Sequence, residues 1–272
     1  MSQHPESAAP LSWDHSTHES FFEYYRDQSL TEPTLERFRA IQKAVLLALP
    51  RERRLERLAV GDVGCGAGTQ AMLWAELGHQ VRGLDINGPL LELGRQRAAE
   101  RGFAIDFELG SATALPWADQ SLDVLLVPEL LEHVAEWQAC LNEFGRVLKP
   151  GGILYISTSN KLCPVQQEFD LPLYSWYPGF LKRHYEKLAV TTRPEIAGHA
   201  KYPAVNWFSF FSLQRYLATL GFVSSDRFDI METRNKPLPL RVVRQLVRAF
   251  LPLRVLAHMA TPYTVLIGRK VR

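Results

Sequence analysis

The chain reads Asp62-Val63-Gly64-Cys65-Gly66-Ala67-Gly68-Thr69 at the point where an apolar, β-branched run gives way to a helical pattern. Glycines at three alternate positions favour a turn that needs positive φ and a backbone free of side chains, which a ligand can approach closely. We therefore predict a strand over residues 58–63, a ligand-binding turn, and a helix over residues 69–77.

A carboxylate follows this turn at the spacing of a nucleoside site. Asp85 comes directly after the next predicted strand, where it can accept hydrogen bonds from both hydroxyls of a ribose. A glycine triplet is a weak signal by itself, and Gly66 to Ala71 also satisfies the GxGxxA form of a nicotinamide fingerprint. The D-x-G-x-G-x-G spacing that starts at Asp62 is instead typical of methyl-donor sites. A nicotinamide site and a turn without a ligand remain the alternatives.

Beyond this turn, short apolar runs alternate with helical segments, as expected of a parallel sheet covered on both faces. The predicted class is α/β, a doubly wound, mainly parallel seven-stranded sheet with an insertion after strand 5 and a helical insertion before strand 7. The last strand is expected to be antiparallel and at the sheet edge. The predicted strands span 58–63, 80–84, 104–108, 122–127, 153–157, 222–230 and 263–269, and the predicted helices span 69–77, 89–101, 138–148 and 212–220.

The chain is long enough for one large domain with extensions. Residues 1–57 are expected to form an N-terminal helical extension, with a short aromatic helix around residues 21–25 and a longer one from Thr34 to Pro50. Residues 58–272 are expected to form the main domain. Within it, we predict a lid-like acceptor-binding insertion over 160–211 and a basic helical insertion over 233–260.

Composition excludes several classes of protein. A net charge of +2 over 272 residues does not provide the concentrated basic surface that nucleic acid requires. Cys65, Cys140 and Cys163 show neither zinc-ligand nor disulfide-framework spacing. The chain starts without a secretory signal pattern and has no apolar run of about 20 residues. A cytoplasmic protein is predicted, with a peripheral location at the inner face of the membrane as a variant of that prediction.

Four further motifs make the interpretation specific. They are Glu108-Leu109-Gly110-Ser111-Ala112, then Leu115 to Asp123, then Leu131-Glu132-His133-Val134, then Arg146-Val147-Leu148-Lys149-Pro150-Gly151-Gly152. In this order and spacing, the chain resembles the class I S-adenosylmethionine-dependent methyltransferase superfamily, and within it the ubiquinone-biosynthesis O-methyltransferases. The resemblance covers residues 58–159 and implies S-adenosyl-L-methionine as cosubstrate.

The resemblance also implies roles for individual residues. Asp62, Gly64, Cys65, Gly66 and Gly68 would form the turn that faces the methionine part of the donor. Asp85 would hold the ribose, Ile86 would face the adenine, and Ser111 and Ala112 would border it. Val127, Pro128 and Glu129 would line the cleft where the methyl group is transferred. Many relatives carry Asp in place of Ser111, so the affinity for the adenine amino group is expected to differ.

Methyl transfer from a sulfonium mainly requires positioning and exclusion of water. For a hydroxyl acceptor, His133 is the predicted base, with Glu129 as the second catalytic residue. His133 as a capping scaffold residue is the alternative. Glu129, Glu132 and His133 also stand at i, i+3 and i+4, which on a helix would place possible ligands for a divalent ion on one face. No metal ligand is assigned, because carboxylates on a helix face are more often simply solvated.

Two later segments concern the acceptor. The insertion holds many aromatic side chains, which are expected to form the acceptor pocket or to pack the insertion onto the sheet. They are Phe169, Tyr174, Trp176, Tyr177, Phe180, Tyr185, Tyr202, Trp207, Phe208 and Phe210. His184, Tyr185 and His199 are second choices for the base. Residues 240–251 form an amphipathic basic helix, which either lies in a membrane interface or packs on the sheet.

Together these patterns predict a methyltransferase that acts on an oxygen of a small or lipid-like acceptor, phenolic or prenylated. A saccharide or another polar acceptor is the first alternative. The second is a protein that binds S-adenosylmethionine without catalysis, because donor-site motifs record binding and not turnover.

Overall fold

The computed structural model describes residues 19–166, 168–196, 204–233 and 236–271. Its centre is a seven-stranded sheet in the order β3-β2-β1-β4-β5-β7-β6. Strands β1 to β5 are mutually parallel, and β7 runs antiparallel to both of its neighbours. The strands are β1 Ala59–Val63, β2 Gln80–Asp85, β3 Ile105–Leu109, β4 Leu122–Pro128, β5 Leu148–Ser159, β6 Phe222–Asp226 and β7 Tyr263–Lys270.

The helices cover both faces of this sheet. They are α1 Glu19–Gln28, α2 Glu32–Ala48, α3 Thr69–Glu76, α4 Gly88–Glu100, α5 Trp137–Val147, α6 Gly179–Thr191, α7 Phe210–Thr219, α8 Arg227–Ile230, α9 Leu238–Ala249 and α10 Leu251–Met259. The predicted doubly wound α/β class is therefore confirmed.

Burial explains which strands lie at the centre. The six residues Leu122 to Val127 of β4 are all buried, as expected of a strand covered on both faces, whereas Phe107 is the one buried residue of β3 at the sheet edge. One hydrophobic cluster lies under α5 and α7 and includes Phe144 and Leu213. The other lies under α2, α3 and α4 and includes Val45 and Trp74. The second cluster shows that the N-terminal helix α2 packs directly on the main domain.

Some predicted boundaries and placements were wrong. Strand β7 does not lie at the edge but between β5 and β6. The sixth strand ends at Asp226, whose carboxylate accepts the backbone N–H groups of Phe228 and Asp229 and so begins α8. The predicted helical segment before β7 is two helices, because Phe250 has an extended backbone and Pro252 stands in the first turn of α10.

Candidate cofactor site and active site

The glycine turn joins β1 to α3 and is fixed to β2. Gly64, Gly66 and Gly68 have φ values of +75°, +51° and +72°, all in the left-handed region. The backbone N–H groups of Gly64 and Cys65 both donate to the carbonyl oxygen of Leu84, at 2.8 and 3.1 Å. The turn therefore lies beside β2, at the carboxyl edge of the sheet. The strand order changes direction at β1, with β2 on one side and β4 on the other, and ligands usually bind at such a point.

The three glycines meet different surroundings. A Cβ at Gly68 would stand 2.4 Å from Cζ of Phe107, so the residue is small because α3 packs closely on the sheet. A Cβ at Gly64 would meet Leu130 at 3.2 Å, which brings the turn into contact with the loop after β4. At Gly66 the nearest atom would be Leu90 Cδ1 at 3.9 Å. Gly66 is thus the position most open to close approach by a ligand.

Asp85 is held in one orientation at the end of β2. Its Oδ2 accepts the N–H of Gly66 at 2.8 Å, and its Oδ1 accepts the N–H of Asn87 at 2.8 Å. Burial raises the pKa of Asp85, and these two N–H groups oppose the rise. Each carboxylate oxygen has two lone pairs, so both oxygens keep one acceptor position for the hydroxyls of a ribose.

Two predicted site residues lie beneath the turn and not at its surface. Asp62 is only 1% exposed, and burial, together with the charge of Asp85, raises its pKa to about 7. The Sγ of Cys65 lies 2.9 Å from the position a Cβ would take at Gly83, so the thiol points toward the sheet. Burial raises the pKa of that thiol well above its ordinary value, which keeps it protonated. For Cys65, only backbone groups are placed to meet a ligand.

The predicted adenine side lies next to Asp85. The side chain of Ile86 is 38% exposed, and the N–H of Gly110 donates to the carbonyl oxygen of Asp85 at 3.0 Å. The neighbouring Ser111 hydroxyl lies 2.7 Å from Oγ1 of Thr113, and Ala112 is buried. Ser111 thus follows the residue that bonds to Asp85, and its hydroxyl is already engaged by Thr113.

The chain after β4 turns sharply at Glu129. This residue has a φ of +52°, and its N–H donates to the carbonyl oxygen of Ser157 in β5 at 2.8 Å. Its carboxylate forms an ion pair with Arg37 of α2. The side chain of Val127 is fully buried in the core and Pro128 is half-buried, so only main-chain atoms of Val127 can face a ligand.

His133 lies in a cluster with two glutamates. One ligand atom each from Glu132, His133 and Glu168 lie within 4.8 Å of one another. Glu132 is 1% exposed and accepts a hydrogen bond from the Thr158 hydroxyl at 2.9 Å. Ser159 donates its hydroxyl to Glu168 at 3.2 Å. Three side chains from two distant segments thus meet at the carboxyl ends of β4 and β5.

Burial controls protonation in this cluster. It raises the pKa of Glu132 to about 8 and also raises the pKa of Glu168. It lowers the pKa of His133, against the opposing charges of Glu168 and Glu129. A neutral imidazole can accept a proton here, and the carboxylates of Glu168 and Glu129 provide the counter-charge for the resulting imidazolium. The same three groups could also hold a divalent cation.

The predicted grouping of Glu129, Glu132 and His133 on one helix face was wrong. Residues Leu131–His133 form a single 3-10 turn, and the left-handed backbone at Glu129 breaks any helix before it. Glu168 takes the third place in the cluster. Sequence reasoning missed Glu168 because it lies in the insertion, far from His133 in the chain and outside any recognisable motif.

Among the described residues, five aromatic side chains of the insertion pack within the insertion itself. Phe169 and Tyr174 are stacked at 4.1 Å between ring centroids and form a small core with Ala189 and Ile196. Tyr177, Tyr185 and Trp207 pack against that core, Phe208 and Phe210 join the main core, and Trp176 and Phe180 are exposed. His184 is exposed on α6. Tyr202 and His199 lie outside the described residues.

Comparisons with known proteins agree with this geometry. A family model described as "Methyltransferase domain" matches residues 61–156, which include the glycine turn, Asp85 and His133. This part of the chain is therefore a methyltransferase domain. S-adenosyl-L-methionine is the cosubstrate of this domain family.

Relatives of this chain include two proteins named ubiquinone biosynthesis O-methyltransferases. That of Chelativorans sp. is 29% identical over 182 residues, which are 65% of this chain and 63% of the relative. That of Parvibaculum lavamentivorans is 36% identical over 109 residues, 40% of this chain and 43% of the relative. The chain thus spans less than two thirds of either. A solved structure of a protein from Pyrococcus horikoshii has the same fold, with a TM-score of 0.56 at 16% sequence identity. The matched part is 92% of this chain and 99% of that protein's chain.

Proposed function

We propose that this methyltransferase transfers a methyl group from S-adenosylmethionine to an oxygen of a small or lipid-like acceptor. The observation that carries the proposal is His133, a base held neutral by burial, in a cluster with the buried Glu132 and the half-buried Glu168. Its loop contacts the cofactor turn, since Leu130 is the neighbour of Gly64. The names of the relatives, ubiquinone biosynthesis O-methyltransferases, support oxygen as the acceptor atom.

The residues present fit the methyl donor. The open backbone at Gly66 leaves room for its amino-acid part, and Asp85 retains acceptor positions for its ribose. When bound, the donor supplies an activated methyl group, and its sulfur takes the electron pair of the broken carbon–sulfur bond. The chain must then position the donor and the acceptor, exclude water and accept one proton.

The proton is the part that this chain handles by its own side chains. His133 takes it from the acceptor hydroxyl as the oxygen bonds to the methyl carbon. Glu168 opposes the lowering of the pKa of His133 and so stabilises the imidazolium that forms. Release of that proton to water returns His133 to its neutral form.

The insertion over 160–211 is proposed to act as a lid over this acceptor site, because it is attached to the His133 turn. The Asn206 side chain donates to the carbonyl oxygens of Leu131 and Val134 at 3.2 and 2.6 Å. The backbone N–H groups of Val205 and Asn206 both donate to the carbonyl oxygen of Glu132. A change in the position of this insertion would therefore move the turn that carries His133.

Two measurements test the proposal. Calorimetry with S-adenosylhomocysteine should show binding that Asp85→Ala abolishes, whereas Asp106→Ala, on the exposed edge strand, should bind as the wild type does. Formation of S-adenosylhomocysteine with phenolic, prenylated and saccharide acceptors should show turnover. His133→Ala should lower kcat by about 100-fold or more, with recovery on addition of imidazole. His184→Ala, which alters an exposed histidine, should leave kcat unchanged.

The outcomes separate the alternatives. Turnover of saccharides alone would replace the lipid-like acceptor with a polar one. Binding of S-adenosylhomocysteine without turnover of any acceptor would favour a non-catalytic binding protein. Full activity of His133→Ala would remove the base assignment.

A further inference from the structure

In the basic segment before β7, three arginines, Arg244, Arg248 and Arg254, bind to the protein and are not directed into solvent as in an ordinary surface helix. Arg244 donates to the carbonyl oxygens of Phe228 and Asp229, each at 2.8 Å. Arg248 pairs with the carboxylate of Asp229 at 3.0 Å, and Arg254 of α10 pairs with Asp226 at 2.6 Å. These contacts attach α9 and α10 to α8 through charge and not through an apolar face.

The apolar side chains of both helices consequently face solvent. No residue of α9 is buried, and large apolar side chains of both helices and of the residue between them are 37–67% exposed. This outer surface, the apolar face of α9 and α10, consists of Leu238, Leu240, Val242, Val243, Leu246, Phe250, Leu251, Leu253 and Leu256. Of the two alternatives for this helix, the one in which its apolar face packs on the sheet is therefore wrong.

The same segment contains basic residues and no acidic ones. After Glu232 the sequence contains no Asp or Glu up to its last residue, Arg272. Lys236 and Arg241 are exposed beside the apolar face. An exposed apolar surface with basic residues and no carboxylates complements a membrane of anionic phospholipids. A protein partner or a second copy of this chain would give no reason for the complete lack of acidic residues.

The apolar face is also connected to the active site. The Asn160 side chain donates to the carbonyl oxygens of His258 in α10 and of Thr261, at 2.8 and 2.7 Å. Asn160 follows Ser159, whose hydroxyl bonds to Glu168 in the His133 cluster. The end of α10 thus lies beside the carboxyl edge of β5, where the acceptor is proposed to bind.

We propose that the apolar face of α9 and α10 docks on the surface of an anionic phospholipid membrane, with Lys236 and Arg241 at the headgroups. None of the helices in the described ranges has the length and apolarity needed to cross a bilayer. Docking in the interface plane needs neither. The docking does not depend on methyl transfer, and it would place the active site near membrane-dissolved acceptors.

Vesicle flotation of the full chain, without donor or acceptor, tests this surface. Wild-type protein should float with phosphatidylcholine vesicles that contain phosphatidylglycerol, and less with phosphatidylcholine alone or at high salt. Leu246→Glu with Phe250→Glu should weaken binding by about tenfold or more, because two apolar side chains leave the interface. Leu55→Glu is the matched control, because Leu55 is 95% exposed and is far in sequence from the apolar face of α9 and α10. This variant should float as the wild type does.

Three results would overturn the proposal. The first is no flotation with either vesicle, and the second is equal flotation of the double variant. The third is a dimer, seen by sedimentation, that the double variant dissociates, which would assign the apolar face to a second copy. Binding of S-adenosylhomocysteine should be the same in all these variants, because the substituted side chains are exposed, and this keeps failure of docking separate from failure of the proposed function.

Discussion

Arg37 of the N-terminal helix α2 forms an ion pair with Glu129 at the end of β4, across 92 positions of sequence. Glu129 already has a left-handed backbone whose N–H bonds to Ser157, so its main chain is fixed and Arg37 sets the direction of its carboxylate. A residue of the N-terminal helix α2 therefore reaches the carboxyl end of β4.

Arg37→Ala should lower kcat/KM by about fivefold, equivalent to ~1 kcal/mol, while changing thermal stability little, because partly exposed ion pairs contribute little to folding. Glu129→Gln should have a similar effect, and the double variant should be no worse than either single one. Steady-state kinetics measure this cycle. Arg39→Ala, which removes an exposed pair with Glu32 on the same helix, is the control. Equal effects of the two arginine variants would show that Arg37 has no special role.

Gly68→Ala should destabilise the protein strongly, and Gly78→Ala only moderately. Both residues have positive φ, at +72° and +84°, so each alanine incurs a backbone cost of about 1–2 kcal/mol. At Gly78 nothing lies within 4 Å of the new Cβ, whereas at Gly68 it meets Phe107 at 2.4 Å. We expect an additional loss of about 1–3 kcal/mol from this overpacking, measured by urea unfolding. Equal losses would contradict the close packing of α3 on the sheet.

Glu132→Gln should flatten the pH dependence of stability between about pH 4.5 and 8. The pKa of Glu132 is raised in the folded state to about 8, so the folded protein binds one proton more than the unfolded chain in this range. Its contribution to stability is complete below the unfolded pKa and is lost as pH rises through 8. At about 1.4 kcal/mol per pKa unit, the loss amounts to several kcal/mol at most.

Glutamine removes this titration and can still accept the hydrogen bond of Thr158. Melting temperatures over the pH range check the prediction, and the slope should shrink but not vanish, because Asp62 acts in the same sense. Glu100→Gln, at an exposed position, should keep the wild-type slope. A wild-type slope in Glu132→Gln would contradict the buried, protonated state.

Removal of divalent metal should leave methyl transfer intact if His133 is the base. We expect protein dialysed against EDTA to keep its kcat, and added Mg²⁺ to change it little. Loss of activity that Mg²⁺ restores, together with loss of that response in Glu168→Gln, would make His133 a ligand in a Glu132–His133–Glu168 metal site. Binding of the metal would then release protons from these groups, because ligands bind metal in their deprotonated form.

Much of the fold could be read from local pattern. The alternation of buried strands with helices predicted the sheet, because a parallel strand covered on both faces is recognisable as a short apolar run. The glycine turn could be predicted for a similar reason, because its backbone conformation depends on residues adjacent in sequence. The predicted strand β6 was too long, because the alternation of apolar residues does not reveal that Asp226 ends the strand and caps a helix.

The sequence by itself determined the sheet, the turn after β1 and the methyltransferase family, because short-range spacing fixes each of them. Only the tertiary structure decided that Glu168 joins His133, that Arg37 reaches Glu129, and that α9 and α10 present their apolar face outward. Those features depend on contacts between segments far apart in the chain. A helical pattern shows that two faces differ, but which face meets the protein depends on its neighbours, here the carboxylates and carbonyls around α8.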